Sequence, residues 1–113
     1  MLKIEAIVQP FKIDDIKTAL ARLGIERVMF SDVLEHGDAT APKTYYRGAE
    51  YHVGAHMVKM EVLISSLQAE EVIQAVSRAA RTGNPGDDGT ILVSEITDAI
   101  RVRNGQRVSI GLS

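Results

Sequence analysis

The feature that most limits the fold of this chain is a strand–helix–strand succession that runs through it twice. Residues 2 to 9 alternate, with Leu2, Ile4, Ala6 and Val8 on one face and Lys3, Glu5 and Gln9 mainly on the other. That is the period of a strand with one face toward a core, and Pro10 closes it. The segment FKIDDIKTALARLG carries Ile13, Ile16, Leu20 and Leu23 at helical spacing, and Gly24 supplies a stop. IERVMFSDVL, rich in branched and aromatic residues, reads as a second strand. The second round starts at MVKMEVLIS, where Val58, Met60, Val62 and Ile64 share a face. Ser65 with Gln68 has the spacing of a capping box, and the helix after it places Val72, Ile73, Val76 and Ala80 on one stripe. TGNPGDDG breaks the pattern, TILVSEI supplies a further strand, and AIRVRNG reads as a short extended piece.

Two such units of similar length predict an α+β protein, a ferredoxin-like βαββαβ sandwich of antiparallel strands backed on one side by helices. The whole chain, 1–113, is one domain on this reading. Ile7, Met29, Val33 and Leu63 fall on the sheet face away from the helices. A monomer would leave them wet, so the pattern predicts an oligomer packed sheet against sheet.

The balance of charge narrows the partners. A formal net charge of −2 does not steer the chain toward nucleic acid or anionic membranes. There are no cysteines, which excludes disulfides and thiolate metal sites and fits a reducing compartment. MLKIEAIVQP mixes charges into its apolar positions and is no signal-peptide core. No run approaches the ~18 apolar residues of a membrane span. A cytoplasmic protein without direct membrane insertion is expected.

Residues 35–56 (EHGDATAPKTYYRGAEYHVGAH) remain as connector, much longer than the about two to five residues that join antiparallel strands. TYYRGAEY within it shows neither a helix period nor a strand alternation. Yet it holds all three tyrosines, in a chain whose only other aromatics are two phenylalanines. Long connectors are more often functional than incidental, and Tyr45, Tyr46 and Tyr51 bring amphipathic surface of the kind found at interfaces. The bland alternative is a tolerated surface insertion.

Tyr46-Arg47-Gly48-Ala49-Glu50-Tyr51 reproduces the loop signature of the PII signal-transduction family, and IEAIVQPFKIDDIKTAL resembles that family's first strand and helix. The resemblance covers nearly the whole chain. It implies a homotrimer, a long "T-loop" at about 35–56 that inserts into target proteins, and adenine-nucleotide sites in the clefts between subunits. Tyr46, Arg47, Gly48, Glu50 and Tyr51 are the implied partner-binding residues. Tyr51 stands at the position that is uridylylated in many members, and Arg47 at the position that can plug a transporter pore. A nucleotidyl group on Tyr51 would add bulk and negative charge and block a snug fit. Arg47 offers a planar, permanently charged set of donors.

Arg101 and Arg103 alternate along AIRVRNG, and two guanidinium groups on one side make a phosphate clamp. They match the paired arginines of the family's nucleotide site, in a C-terminal segment at 99–107. The phosphate loop is expected at about 82–89, where Gly83, Gly86 and Gly89 permit close backbone approach. The resemblance implies further nucleotide contacts from Ile7, Gly37, Glu61 and Asp87. The ligands expected are ADP, AMP or ATP, with or without Mg²⁺, and no cofactor is permanently bound.

The chain also departs from the family. Gly86-Asp87-Asp88-Gly89 carries an extra aspartate, Thr90 replaces a basic residue, and Asn84-Pro85 differ from the common lysine-containing version. Added negative and lost positive charge beside a phosphate chain weaken triphosphate binding, partly offset by Mg²⁺. After Gly37 the family has arginine and then glutamine, the latter a Mg²⁺ ligand beside 2-oxoglutarate; this chain has Asp38 and Ala39. Met57 and Gln9 stand where lysines are usual. A dicarboxylate in such a pocket lacks its compensating cations, so 2-oxoglutarate sensing of the usual form is not expected.

His36, His52 and His56 lie within or beside the connector, and His52 and His56 have the i, i+4 spacing of two metal ligands on a helix. Solvated loop histidines are the plainer reading, and no metal site is assigned. The leading expectation is a non-enzymatic sensor that regulates a partner enzyme or membrane transporter. A slow nucleotide hydrolase is the enzymatic alternative; Asp87, Asp88 and Glu61 are the candidate bases, with no nucleophile or base–orienter pair in view. A structural or metal-handling trimer on the same fold is the third.

Overall fold

In the computed structural model, residues 1–36, 55–84 and 88–109 are described in full; residues 43–46 and 49–52 are described for their backbone pairing alone. The order of elements is β1 (Leu2–Val8), α1 (Ile13–Arg22), β2 (Met29–Glu35), β3 (Lys43–Tyr46), β4 (Ala49–His52), β5 (Ala55–Ile64), α2 (Ala69–Ala80) and β6 (Thr90–Glu95). Four of these strands form one antiparallel sheet in the order β2-β5-β1-β6. Each strand–helix–strand unit is therefore split by a strand of the other, the signature of the ferredoxin-like sandwich.

Register sorts the side chains. Ile4 pairs with Val62 and Val93, Ala6 with Met60 and Ile91, and Phe30 with Met60, so these residues share one face. That face meets Ile16 and Leu20 of α1 and Val72, Val76 and Ala80 of α2 in a single buried cluster. Both helices show the i, i+4 spacing that a core-facing stripe requires. Removing a large member such as Ile16 or Met60 would open a cavity in this close-packed layer.

Helix ends follow local chemistry. Gly24 adopts φ +78°, a conformation glycine reaches without strain, and the Gly24 N–H returns to the Ala21 carbonyl. At the other helix, Ser65 is 6% exposed and its Oγ accepts the Leu67 N–H at 3.2 Å, opening a 3₁₀ turn, Ser66–Gln68, that leads into α2. The Gln68 N–H donates instead to the Ser65 carbonyl. The spacing thus marks a true helix start, although the serine caps a 3₁₀ turn and not the reciprocal box expected. Ser65→Ala is expected to lower stability by about 1 kcal/mol, read as a lowered midpoint in urea with an unchanged slope.

Three boundaries differ from the sequence reading. β2 starts at Met29; Ile25 and Val28 are partly buried against the core without joining the sheet. The connector contains an antiparallel pair, with Lys43 opposite His52, Thr44 opposite Tyr51, Tyr45 opposite Glu50 and Tyr46 opposite Ala49, where no strand was expected. AIRVRNG is not extended: Ile100 makes a lone bridge to Arg107, and residues 102–104 form a turn closed by Arg101 N–H to Gln106 O at 2.8 Å and Gly105 N–H to Arg101 O at 2.9 Å.

The other face of the sheet carries the expected apolar residues. Ile7 lies opposite Lys59, Leu63 opposite Lys3, Met29 opposite Glu61 and Val33 opposite Met57, all out of phase with the core. Met29 is 63% and Leu92 52% exposed. Across the centre of this face Glu5 stands directly opposite Glu61, a pairing that repels. Each carboxylate has its own counter-ion on its own strand: Lys3 Nζ is 2.8 Å from Glu5, and Lys59 Nζ is 3.1 Å from Glu61. The bond from Lys3 holds the Glu5 carboxyl below its usual range, and the same bond raises the Lys3 ammonium.

Candidate functional site

At one end of the sheet, where β1 stops and β6 starts, the chain has to make a close approach. Ile7 is flanked by Lys59 on one side and Thr90 on the other. The residue before Thr90 is Gly89, with φ +96°, and a Cβ built there would overlap the Ile7 carbonyl oxygen. Only glycine fits both the dihedral and the space. Around this contact opens a cleft of about 250 Å³ lined by Ile7, Val33, Leu34, Glu35, Gly89 and Thr90. It thus adjoins the end of β2, where the chain departs into the long connector. A second cavity of about 120 Å³ shares Gly89 and Thr90 with the cleft and is bordered also by Val8, Ser77, Ala80, Arg81, Asp88 and Ile91.

The loop that delivers Gly89 is tied shut at its base. Arg81 is extended (φ −64°, ψ 133°), so α2 ends and the next amide turns away. The Thr82 N–H donates to Asp88 Oδ1 at 2.7 Å, and the Thr82 hydroxyl donates to the same oxygen at 2.8 Å. The hydroxyl oxygen in turn accepts the Asn84 N–H at 3.1 Å. The Thr82 amide and then its hydroxyl hold the Asp88 carboxyl below the usual carboxylate range, with smaller help from the charges of Arg81 and Lys12.

Of the residues singled out from the sequence, Ile7 and Gly89 come together in the cleft. Gly83 stands at φ +83° in the loop, with nothing within 4 Å of where a Cβ would be. Glu61 sits on the free sheet face, paired with Lys59, and lines neither cavity. Arg101 and Arg103 are exposed in the turn and line neither cavity; among the described residues their side chains have no hydrogen-bond or ion-pair partner. Gly37, Arg47, Gly48, Gly86 and Asp87 lie outside the described residues. Tyr46, Glu50 and Tyr51 belong to the β3–β4 pair.

The helical spacing of His52 and His56 does not apply, since they fall on different strands, β4 and β5. His56 Nε2 instead lies 3.1 Å from Asp32 Oδ1 across the β2–β5 pairing. Among the described residues no three His, Asp or Glu side chains gather as a metal site, and no described helix is long and apolar enough to cross a membrane. Sequence reasoning did not anticipate Thr82 and Asp88 as a pair, nor Val33, Leu34 and Glu35 as cleft walls. Only the ST-type spacing of Thr82 and Asn84 offered a local signal.

The fold and site together define a ferredoxin-like sandwich with a glycine-built cleft beside a long inserted connector. Comparison with known proteins gives the family. The family model described as nitrogen regulatory protein P-II matches residues 1–106. Nitrogen regulatory protein P-II of Rhizobium meliloti is 42% identical over 107 residues, covering 94% of this chain and 95% of that protein. The Bradyrhizobium diazoefficiens protein of the same name is 43% identical over 107 residues, with the same coverage. The crystal structure of Arabidopsis thaliana PII bound to citrate superposes with a TM-score of 0.72 at 36% identity, covering 95% of this chain and 84% of that one. The chain belongs to the P-II family of nitrogen regulatory signal-transduction proteins.

Proposed function

We propose that this protein is a non-enzymatic sensor that binds an adenine nucleotide at the cleft beside Gly89 and regulates a partner enzyme or transporter through the connector at 35–56. The observation that carries the reading is the Gly89 contact: a backbone brought against the Ile7 carbonyl, with the 82–89 loop leading into it and the end of β2 forming the opposite wall. A ligand in that cleft touches both the phosphate loop and the stem of the connector. It therefore has the differential contacts that a population shift needs.

The free face of the sheet supports assembly into a homotrimer, in which Met29, Ile7, Val33 and Leu63 are covered by neighbouring copies. Arg101 and Arg103, exposed in the turn and lining neither cavity of their own chain, are the cationic donors this reading assigns to phosphate oxygens of a ligand held between copies of the trimer. Thr90, uncharged at the mouth of the cleft, makes ADP or AMP the better ligand than ATP. Met57 is 4% exposed and brings no cation for a dicarboxylate, which supports a site that does not use 2-oxoglutarate in the usual way. A hydrolase reading is disfavoured by the engagement of two of its three candidate bases: Glu61 is paired with Lys59, and Asp88 is bonded to Thr82.

Calorimetric titration with ATP, ADP and AMP, each with Mg²⁺ and with or without 2-oxoglutarate, tests the reading. ADP or AMP is expected to bind with no effect of 2-oxoglutarate. A sharpening of ATP binding by 2-oxoglutarate would make this a conventional nitrogen sensor, and no binding by any nucleotide would remove the sensor reading.

A further inference from the structure

The aspartate that sets this loop apart does not stand free in it. We propose that Asp88 is a positioning and selectivity residue: it ties the residue before Gly89 to Thr82 beyond the end of α2, and its negative charge disfavours each phosphate added to the ligand. The inference rests on the nucleotide reading above and assigns to one side chain the choice among AMP, ADP and ATP.

The geometry carries it in two parts. Asp88 Oδ1 accepts both donors of Thr82, at 2.7 and 2.8 Å, and so joins Thr82, two residues beyond α2, to the residue that precedes Gly89. Gly89 packs closely against the Ile7 carbonyl, and the next residue, Thr90, pairs with Ile7 in the sheet. The two ends of the loop are therefore pinned before any ligand arrives, and pre-organisation of this kind lowers the ordering cost of binding. The second part is charge. Both bonds use the same oxygen, and among the described residues Oδ2 has no partner. Asp88 borders the small cavity together with Gly89 and Thr90, and those two residues also line the cleft. Asp88 does not line the cleft itself, but its carboxylate stands one residue from the cleft wall at Gly89, close enough for its charge to act on an anion bound there. The repulsion grows with the charge of the phosphate chain.

Two variants separate the parts. Asp88→Asn keeps an oxygen to accept from Thr82 and removes the charge; Asp88→Ala removes both. Wild type and variants are titrated calorimetrically with AMP, ADP and ATP without Mg²⁺, so that each added phosphate carries its full charge, and thermal midpoints are recorded alongside. Asp88→Asn, which keeps the acceptor but loses the charge assistance of the Thr82 bonds, is expected to lower the midpoint less than Asp88→Ala and to raise affinity for ATP relative to AMP by about three- to tenfold, the effect of one nearby unit charge in a partly solvated setting. Asp88→Ala is expected to weaken all three nucleotides. An ATP-to-AMP ratio in Asp88→Asn equal to that of wild type overturns the selectivity role. Wild-type affinities in Asp88→Ala overturn the positioning role. Failure of the wild-type protein to bind any nucleotide overturns the nucleotide reading, and this inference with it, a result distinct from the other two.

Discussion

Replacing Gly89 by alanine is expected to lower stability by about 2–4 kcal/mol and to abolish nucleotide binding at the cleft. Two independent penalties meet at this position. A φ of +96° lies in a region that L side chains rarely adopt, which by itself costs about 1–3 kcal/mol. The added methyl would also overlap the Ile7 carbonyl oxygen. That carbonyl cannot retreat, because β1 is bonded to β5 on one edge and β6 on the other. The start of β6 would have to lift from the sheet, taking Thr90 and the cleft wall with it. Gly83→Ala is the control. Its φ of +83° is equally unfavourable, but nothing lies within 4 Å of the added Cβ, so about 1–2 kcal/mol is expected from the backbone alone. Urea denaturation of both variants decides the matter, and equal losses would mean that the approach to Ile7 is not a real constraint.

Truncating Arg101 and Arg103 together to alanine is expected to weaken nucleotide binding about a hundredfold without changing stability. The turn that bears them is held by backbone bonds and by the Arg107–Asp98 pair at 2.8 Å. Both side chains are exposed, and among the described residues neither has a partner to lose. Hydrogen bonds to charged groups contribute about 1.5–3 kcal/mol each. Loss of two that do not act independently amounts to roughly two decades of affinity. Calorimetry with ADP beside a thermal melt reads both quantities. An unchanged affinity would place the phosphates elsewhere, and a lowered midpoint would make the arginines structural.

What the sequence made legible follows from period. Strands with one wet face alternate, and helices on a sheet repeat every three to four residues. The sandwich and the free face of Ile7, Met29, Val33 and Leu63 could therefore be read directly. The β3–β4 pair could not, because Tyr45, Tyr46, Glu50 and Tyr51 show no alternation and the pairing depends on a partner strand. AIRVRNG was misread for a different reason. Its alternation of apolar residues and arginines competes with Asn104-Gly105, a strong turn dipeptide. The turn prevailed, with Gly105 at φ +69° and Val102 fully exposed. The helical spacing of His52 and His56 misled because spacing has meaning only within one element. In the site, Gly89 stood out as a glycine in a breaker cluster, but its contact with Ile7 joins opposite ends of the sequence. The bond from Thr82 to Asp88 obeys no helical or strand period, so composition showed only an added charge where the fold has a strut.

The strand order carries one more consequence, for the moment of folding. β1 lies between β5 and β6, so the earliest strand in the sequence is paired on both edges only after Glu95 is available. During synthesis Leu2–Val8 has both edges open until β5 is made, and one edge open until β6 follows. Distant pairings of this kind slow folding, and unpaired edges invite association between chains. Lys3 and Glu5, which alternate with the apolar residues of this strand, are the kind of side chains that keep a waiting edge from joining the wrong neighbour.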